Sequence, residues 1–209
     1  MEYKDGFLFV SNSLALNFVN TRPVIGDQPQ ELLDTFGSLL RWFVAAGLLA
    51  DQEREEFHGR WRDTPQAAAA LENALAFRER LREEIIHVEA NKGIRQKLIT
   101  DLNHMLQEHV LPLRIVPVAE GFAEEFRFTP GVPKDLLGPL MYAAADLFTK
   151  FDLRRIHKCH TCVLHFYDTT KNATRRWCSM KICGNRAKVA SYVARQRQAE
   201  PSRRIKGGN

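Results

Sequence analysis

The four cysteines of this chain fall in one short stretch: Cys159-His-Thr-Cys162, fifteen residues, then Cys178-Ser-Met-Lys-Ile-Cys183. Two close pairs separated by a loop suit a tetrahedral metal ion. Each pair folds into a tight thiolate knuckle, and the spacer lets the two knuckles close on one ion. Four thiolates leave no open coordination position, so the chemistry is structural: one zinc ion, Zn2+, holding a small module folded. The second pair is spaced by four residues rather than two, which ligand geometry permits. Two disulfides are the competing reading, and they require an oxidising compartment. His157, His160 and His165 lie nearby. With the shell filled by sulfur they are expected to face solvent.

Charge points to the partner of this module. The net charge is +5, but it is unevenly distributed. Residues 154–209 hold 14 Lys and Arg against 2 Asp and Glu, a net +12, while residues 1–153 hold 16 against 23, a net −7. A basic segment joined to an acidic body favours a polyanion such as nucleic acid. A merely solvated basic tail is the bland alternative. Met1 to Asn20 is not a secretory signal, since Glu2 and Asp5 replace a basic start and Ser11-Asn12-Ser13 interrupts the apolar run. No stretch approaches the about 18 apolar residues of a membrane span. The expectation is a cytoplasmic, reduced protein with no membrane partner.

Within the basic segment, a helix is predicted from just after Cys183 to Gln198. Val189, Tyr192 and Val193 form an apolar stripe expected to dock on the knuckle. Lys188 and Arg195 fall on one side of it, and Arg186 and Arg197 on the other. Arg175 and Arg176 extend the basic surface. The candidate nucleic-acid contacts are therefore Arg175, Arg176, Arg186, Lys188 and Arg195. Phe166 and Tyr167 are expected beside the ion, because so small a module needs aromatic filler. Trp177 reads as core, with base stacking as its alternative, and Asp168-Thr-Thr as a turn or cap. Arg203, Arg204 and Lys206 lie in a tail expected to order on a polyanion.

The elements that position this module are mostly helical. Phe7 to Val10 reads as a short strand and Ser13 to Val19 as a short helix, followed by a loop over residues 21–30. Asp34 is a candidate N-cap for a helix ending near Gly47. Further helices are expected from Asp51, from Thr64-Pro65 to about Asn91, and over residues 95–110. Leu113 to Val118 and Phe122 to Thr129 read as a β-hairpin, with Phe122, Glu124, Phe126 and Phe128 alternating to give one apolar face. A last helix, Pro133 to Phe151, leads into the cysteines. The fold class is mainly α: a helical N-terminal domain with a small β-hairpin (residues 1–153), then a four-cysteine zinc finger ending in a basic helix (residues 154–209).

The string from Arg175 through Cys183-Gly-Asn-Arg186 to Lys188 resembles the CGNR zinc-finger family, and Cys159-x-x-Cys162, Phe166 and Asp168 also fit. Ser13-Leu-Ala-Leu-Asn-Phe-Val-Asn-Thr21 and Leu40-Arg-Trp-Phe-Val-Ala-Ala-Gly-Leu48 resemble the ABATE domain found with that finger. At Asn17 the family pattern carries an acidic residue instead. The resemblance implies a stress-linked transcription regulator that binds double-stranded DNA, with an N-terminal domain that senses a small-molecule effector or pairs two copies as a homodimer. An RNA-binding protein using the same finger is the second reading. A third is a small-molecule binder or enzyme with its site at Asn17, Asn20, Thr21 and Arg22, residues that otherwise simply cap and turn the chain. No Gly-rich phosphate loop, nucleophile elbow or His-Glu-x-x-His stands in the sequence, so catalysis is not expected.

Overall fold

The computed structural model describes residues 2–25, 28–109, 111, 113–126 and 128–199. The chain opens with a hairpin of β1 (Glu2–Lys4) and β2 (Phe7–Phe9). Its turn residues Asp5 and Gly6 both take positive φ, 45° and 86°, as two-residue hairpin turns require. Helix α1 (Leu14–Val19) follows, capped by the Ser13 hydroxyl, which accepts from the Leu16 amide. The loop expected over residues 21–30 contains a two-residue ladder between β3 (Val24–Ile25) and β4 (Gln28–Pro29).

Helix α2 (Phe36–Ala45) is capped one residue later than the sequence suggests. Thr35, not Asp34, is the N-cap: its hydroxyl accepts from the Ser38 amide at 3.1 Å while Ser38 Oγ accepts from the Thr35 amide at 2.9 Å. This reciprocal box satisfies two of the otherwise orphaned first-turn donors. The helix stops at Gly47 (φ 76°). Helices α3 (Asp51–Trp61), α4 (Pro65–Glu89, capped by Thr64) and α5 (Gln96–Glu108) come next. Strands β5 (Leu113–Val118) and β6 (Gly121–Phe126) form the expected hairpin. Its tip does not supply the apolar face read from the alternation, for Phe122 is 78% exposed. Phe128, beyond the strand, packs on Phe43 at 5.9 Å. A 3-10 turn (Pro133–Leu136) leads into α6 (Leu137–Lys150).

The main core lies between α1, α2, α4 and α6. Trp42 sits fully buried at its centre, with Phe18, Phe43 and Phe9 rings 5.2, 5.5 and 6.3 Å away. Each large side chain withdrawn from water here contributes about 1.5–3 kcal/mol. Helix α4 also buries two charged side chains. Arg78, 2% exposed, donates to both Glu31 carboxylate oxygens and to Thr21 Oγ1. Glu84, 1% exposed, accepts from the Arg95 amide and guanidinium at 2.6 and 2.7 Å. Both are paired, which is what makes a buried charge tolerable.

From α6 the chain passes through a 3-10 turn (Leu153–Arg155) into the antiparallel pair β7 (Ile156–Lys158) and β8 (His165–Tyr167). A π-helical turn (Met180–Gly184) and helix α7 (Asn185–Ala199) end the described chain. Arg203, Arg204 and Lys206 lie outside the described residues.

Candidate metal centre and basic cleft

Each cysteine pair is shaped by backbone hydrogen bonds. In the first knuckle, between β7 and β8, the Cys159 amide donates to the Leu164 carbonyl at 2.8 Å and the Val163 amide to the Cys159 carbonyl at 3.2 Å. Closing this loop places Val163 at φ 58°, a conformation that a β-branched residue adopts only under constraint. In the second knuckle the Ser179 hydroxyl accepts from the Ile182 amide, and the Ser179 carbonyl receives the Cys183 and Gly184 amides at 3.0 Å each. Gly184 is buried, and a β-carbon there would run into Met180 Sδ. Asn185 Nδ2 donates to the Lys181 carbonyl at 3.1 Å. The tetrapeptide Cys183-Gly-Asn-Arg186 thus supplies a sulfur of the cluster, a close approach, a cap and an exposed cation.

The two knuckles bring the four sulfurs within 4.8 Å of one another, with Cys162–Cys178 at 3.4 Å and Cys178–Cys183 at 3.6 Å. These spacings exclude disulfides, whose S–S bond is about 2.05 Å, and suit ligands around one ion. The proximity also couples the four thiols electrostatically. Hydrogen bonds from Cys162 and Cys178 pull the Cys159 thiol far below its ordinary value. The bond to Cys159 pushes Cys162 up to about 12 and drives Cys178 still higher, while burial raises Cys183. Thiols this close repel as thiolates, a repulsion that a bound cation relieves.

Around the cysteines a small second core gathers Val10, Leu164 and Phe166, with Trp177 against it. Phe166 packs there as expected, whereas Tyr167 turns to the main core and meets Phe151 edge-on at 4.9 Å. Asp168 latches the spacer: Oδ1 accepts from the Thr170 amide and hydroxyl at 2.8 and 2.7 Å, and Oδ2 accepts from the Arg175 amide at 2.8 Å. Burial raises this carboxyl, but those hydrogen bonds together hold it below the ordinary aspartate range.

His165 corrects the expectation of solvent-exposed histidines. It is 2% exposed, and its Nδ1 meets Glu89 of α4 at 2.9 Å. His157 is half-buried, and only His160 is exposed. The reason is that β8 lies on α1. The Asn20 side chain donates to the His165 carbonyl at 2.8 Å and accepts from its amide at 2.9 Å, a buried two-point pairing across 145 residues of chain.

The other residues singled out near α1 are likewise engaged inside the protein. Asn17 Oδ1 accepts from Ser11 Oγ at 2.6 Å and from the Val10 and Ser11 amides. An acidic side chain would meet the same need for an acceptor. Thr21 Oγ1 donates to the Phe18 carbonyl and accepts from Arg78. Arg22 pairs with Glu79 at 3.5 Å on the surface. Of the four, Asn20 lines a cavity beside the finger.

Three of the five candidate cations do converge. Arg176, Lys188 and Arg195 line a cleft of about 530 Å³ between the first knuckle and α7, with Trp177, His160 and Ser191. The Arg176 guanidinium lies over Trp177, 5.5 Å from the ring centroid. Arg186 is exposed on the other side and lines the cavity beside the N-terminal hairpin. Arg175 departs from the expectation. It is half-buried, donates to the Trp177 and Cys178 carbonyls, and stacks over Phe166 at 4.8 Å, so it braces the second knuckle. The stripe expected to dock on the knuckle does not dock either: Val189, Tyr192 and Val193 are 63%, 58% and 40% exposed. Helix α7 packs chiefly on the π-helical turn that starts it.

A family model for ABATE, described as "Putative stress-induced transcription regulator", matches residues 12–150. The chain belongs to the ABATE family. A CGNR zinc-finger model matches residues 155–196, which span the sulfur cluster and the basic cleft. No curated protein matches the chain. The ABATE domain therefore contributes the main core, and the CGNR finger holds the metal-ion site against it. No helix among the described residues is long and apolar enough to cross a membrane.

Proposed function

We propose that this protein is a zinc-dependent, DNA-binding transcription regulator, in which the ABATE domain carries a CGNR finger that grips the phosphate backbone. The observation that carries the reading is the convergence of Arg176, Lys188 and Arg195 on one cleft beside a helix exposed along nearly all its length. Such a helix can enter a major groove, and clustered cations gain affinity by releasing counterions. Zinc fits the sulfur set: a tetrahedron with Zn–S of about 2.3 Å has edges of about 3.8 Å. Cys159, Cys162, Cys178 and Cys183 would hold the ion, which supplies folding energy and no reaction. The thiols are free, as a reducing compartment such as the cytoplasm would keep them. The role is binding, not catalysis. A homodimer belongs to the same reading, since α7 leaves its apolar stripe open for a second copy.

Binding of metal-loaded protein to duplex DNA, followed by anisotropy from low to moderate salt, tests this. The slope of log K against log salt should be steep, and replacing Arg176, Lys188 and Arg195 by Gln should flatten it by about 0.9 for each phosphate that is no longer neutralised. An unchanged slope, or no binding with zinc present, contradicts the reading. Trp177 on the cleft wall favours a second reading, stacking on an unpaired base of RNA. Competition between the duplex and a structured RNA separates the two.

A further inference from the structure

The ABATE domain holds a cavity of about 300 Å³ whose lining includes none of the four cysteines. Its walls are largely apolar, including Leu14, Leu48, Phe128 and Phe151, and its polar groups include Tyr142 and Asp146. These two stand four residues apart on α6 and so share one helix face. The volume and the pattern, apolar walls with a few placed polar groups, are those of a small-molecule site.

Charge decides the ligand class. Asp146 pairs with a neighbour on its own helix, Lys150, at 2.9 Å, and the two side chains are 49% and 66% exposed. Exposed pairs at this spacing are weak, so an incoming ammonium can take the place of Lys150. Phe128 and Phe151 in the lining offer aromatic surface to the apolar part of the same ligand. We infer that this cavity binds a small arylalkyl ammonium, with the cation on Asp146 and the hydrocarbon among the aromatic walls.

The site is placed to matter to the finger. Phe151, one of its walls, is the ring that meets Tyr167 of β8 edge-on. Ser13, also on the cavity, caps α1 two residues from Ser11, which bonds Asn17 beside Val10 of the finger's core. An occupant therefore touches Phe151 and Ser13, two residues next to contacts between the ABATE domain and the finger. Binding itself does not depend on the proposed nucleic-acid role, and the following test involves no nucleic acid.

The probe is phenethylamine, compared with 2-phenylethanol and phenylacetate by NMR titration of the zinc-loaded full chain. Phenethylamine should bind at least tenfold more tightly than the alcohol, with shifts at α6, Phe151 and Tyr167 rather than at the basic cleft. Asp146→Asn, at a half-exposed position, should abolish that preference while leaving the alcohol unaffected, and Ala143→Trp should block both. Equal binding of amine and alcohol, preference for phenylacetate, a preference that survives in Asp146→Asn, or no binding at millimolar concentration overturns the proposal.

Discussion

The ABATE domain and the CGNR finger solve the same problem by different means. The domain withdraws a continuous set of large side chains from water, with Trp42, Phe18, Phe43 and Phe77 all essentially inaccessible. The finger has Val10, Leu164, Phe166 and its own sulfurs, and Val10 is lent by the domain. So small a cluster does not offset the entropy of ordering the segment. Metal ligation and docking on α1 and α4 must supply the rest. The difference teaches that the finger is not an independent bead on a basic tail: its metal site and its seat on the domain are two supports of one structure.

The largest effect should come from the sulfurs. Replacing Cys178, whose Sγ contacts both Cys162 and Cys183, with Ser should abolish stoichiometric zinc, since metal binding to such sites is worth on the order of 10 kcal/mol. Metal analysis should fall well below one ion per chain while the thermal transition of the ABATE domain persists. A variant that keeps its metal would erase the contrast.

On the domain side, Arg78→Met should cost about 1–3 kcal/mol, because the partly exposed Glu31 and the buried Thr21 lose the hydrogen bonds of a buried cation. Urea denaturation should show this with zinc content unchanged. The same pair sets an acid dependence. Burial raises the Glu31 carboxyl, but bonds from Arg78 and the Leu33 amide, with the charges of Arg78 and Arg22, hold it below the ordinary value. A depressed carboxyl contributes stability that is complete above the ordinary glutamate range and lost as pH falls through the lowered value. Glu31→Gln should flatten the fall in urea midpoint on acidification in that window.

Asn20→Ala sharpens the comparison at the seam. It removes both hydrogen bonds to the His165 backbone, and each buried group left unpaired costs about 1–3 kcal/mol. Zinc release to a chelator should accelerate although every ligand is intact. An unchanged rate would mean that the finger does not need its seat. Val163→Gly should act least and in the opposite direction. Relief of about 1–2 kcal/mol of left-handed strain is partly offset by the greater freedom of glycine, about 0.5–1 kcal/mol. A small gain in zinc affinity is the expected reading from a competition titration.

Much of this is legible in the sequence. The helices follow from apolar spacing at 3.6-residue period and from Thr64-Pro65 and Gly47 at their ends. The metal set follows from cysteine spacing alone, because ligand geometry constrains sequence locally. What escapes is non-local. Nothing near Asn20 announces a partner 145 residues away, and nothing near His165 announces Glu89, so the seat of the finger reads from sequence as a turn and an exposed histidine. Arg175 looks like every other arginine of the basic segment, and only the fold shows its guanidinium turned onto the knuckle carbonyls. Amphipathic pattern also misleads once. Val189, Tyr192 and Val193 have the spacing of a docked face, but α7 turns other residues, Lys188, Ser191 and Arg195, toward the finger and leaves these three exposed. Thr35 displaces Asp34 as cap because Ser38 can answer its hydroxyl reciprocally.

Amide hydrogen exchange on zinc-loaded and chelated protein tests the central contrast most directly. The account predicts that chelation strips protection from residues 156–184 while α2, α4 and α6 exchange as slowly as before. Protection retained in the finger without metal, or lost throughout the ABATE domain with it, would contradict the account.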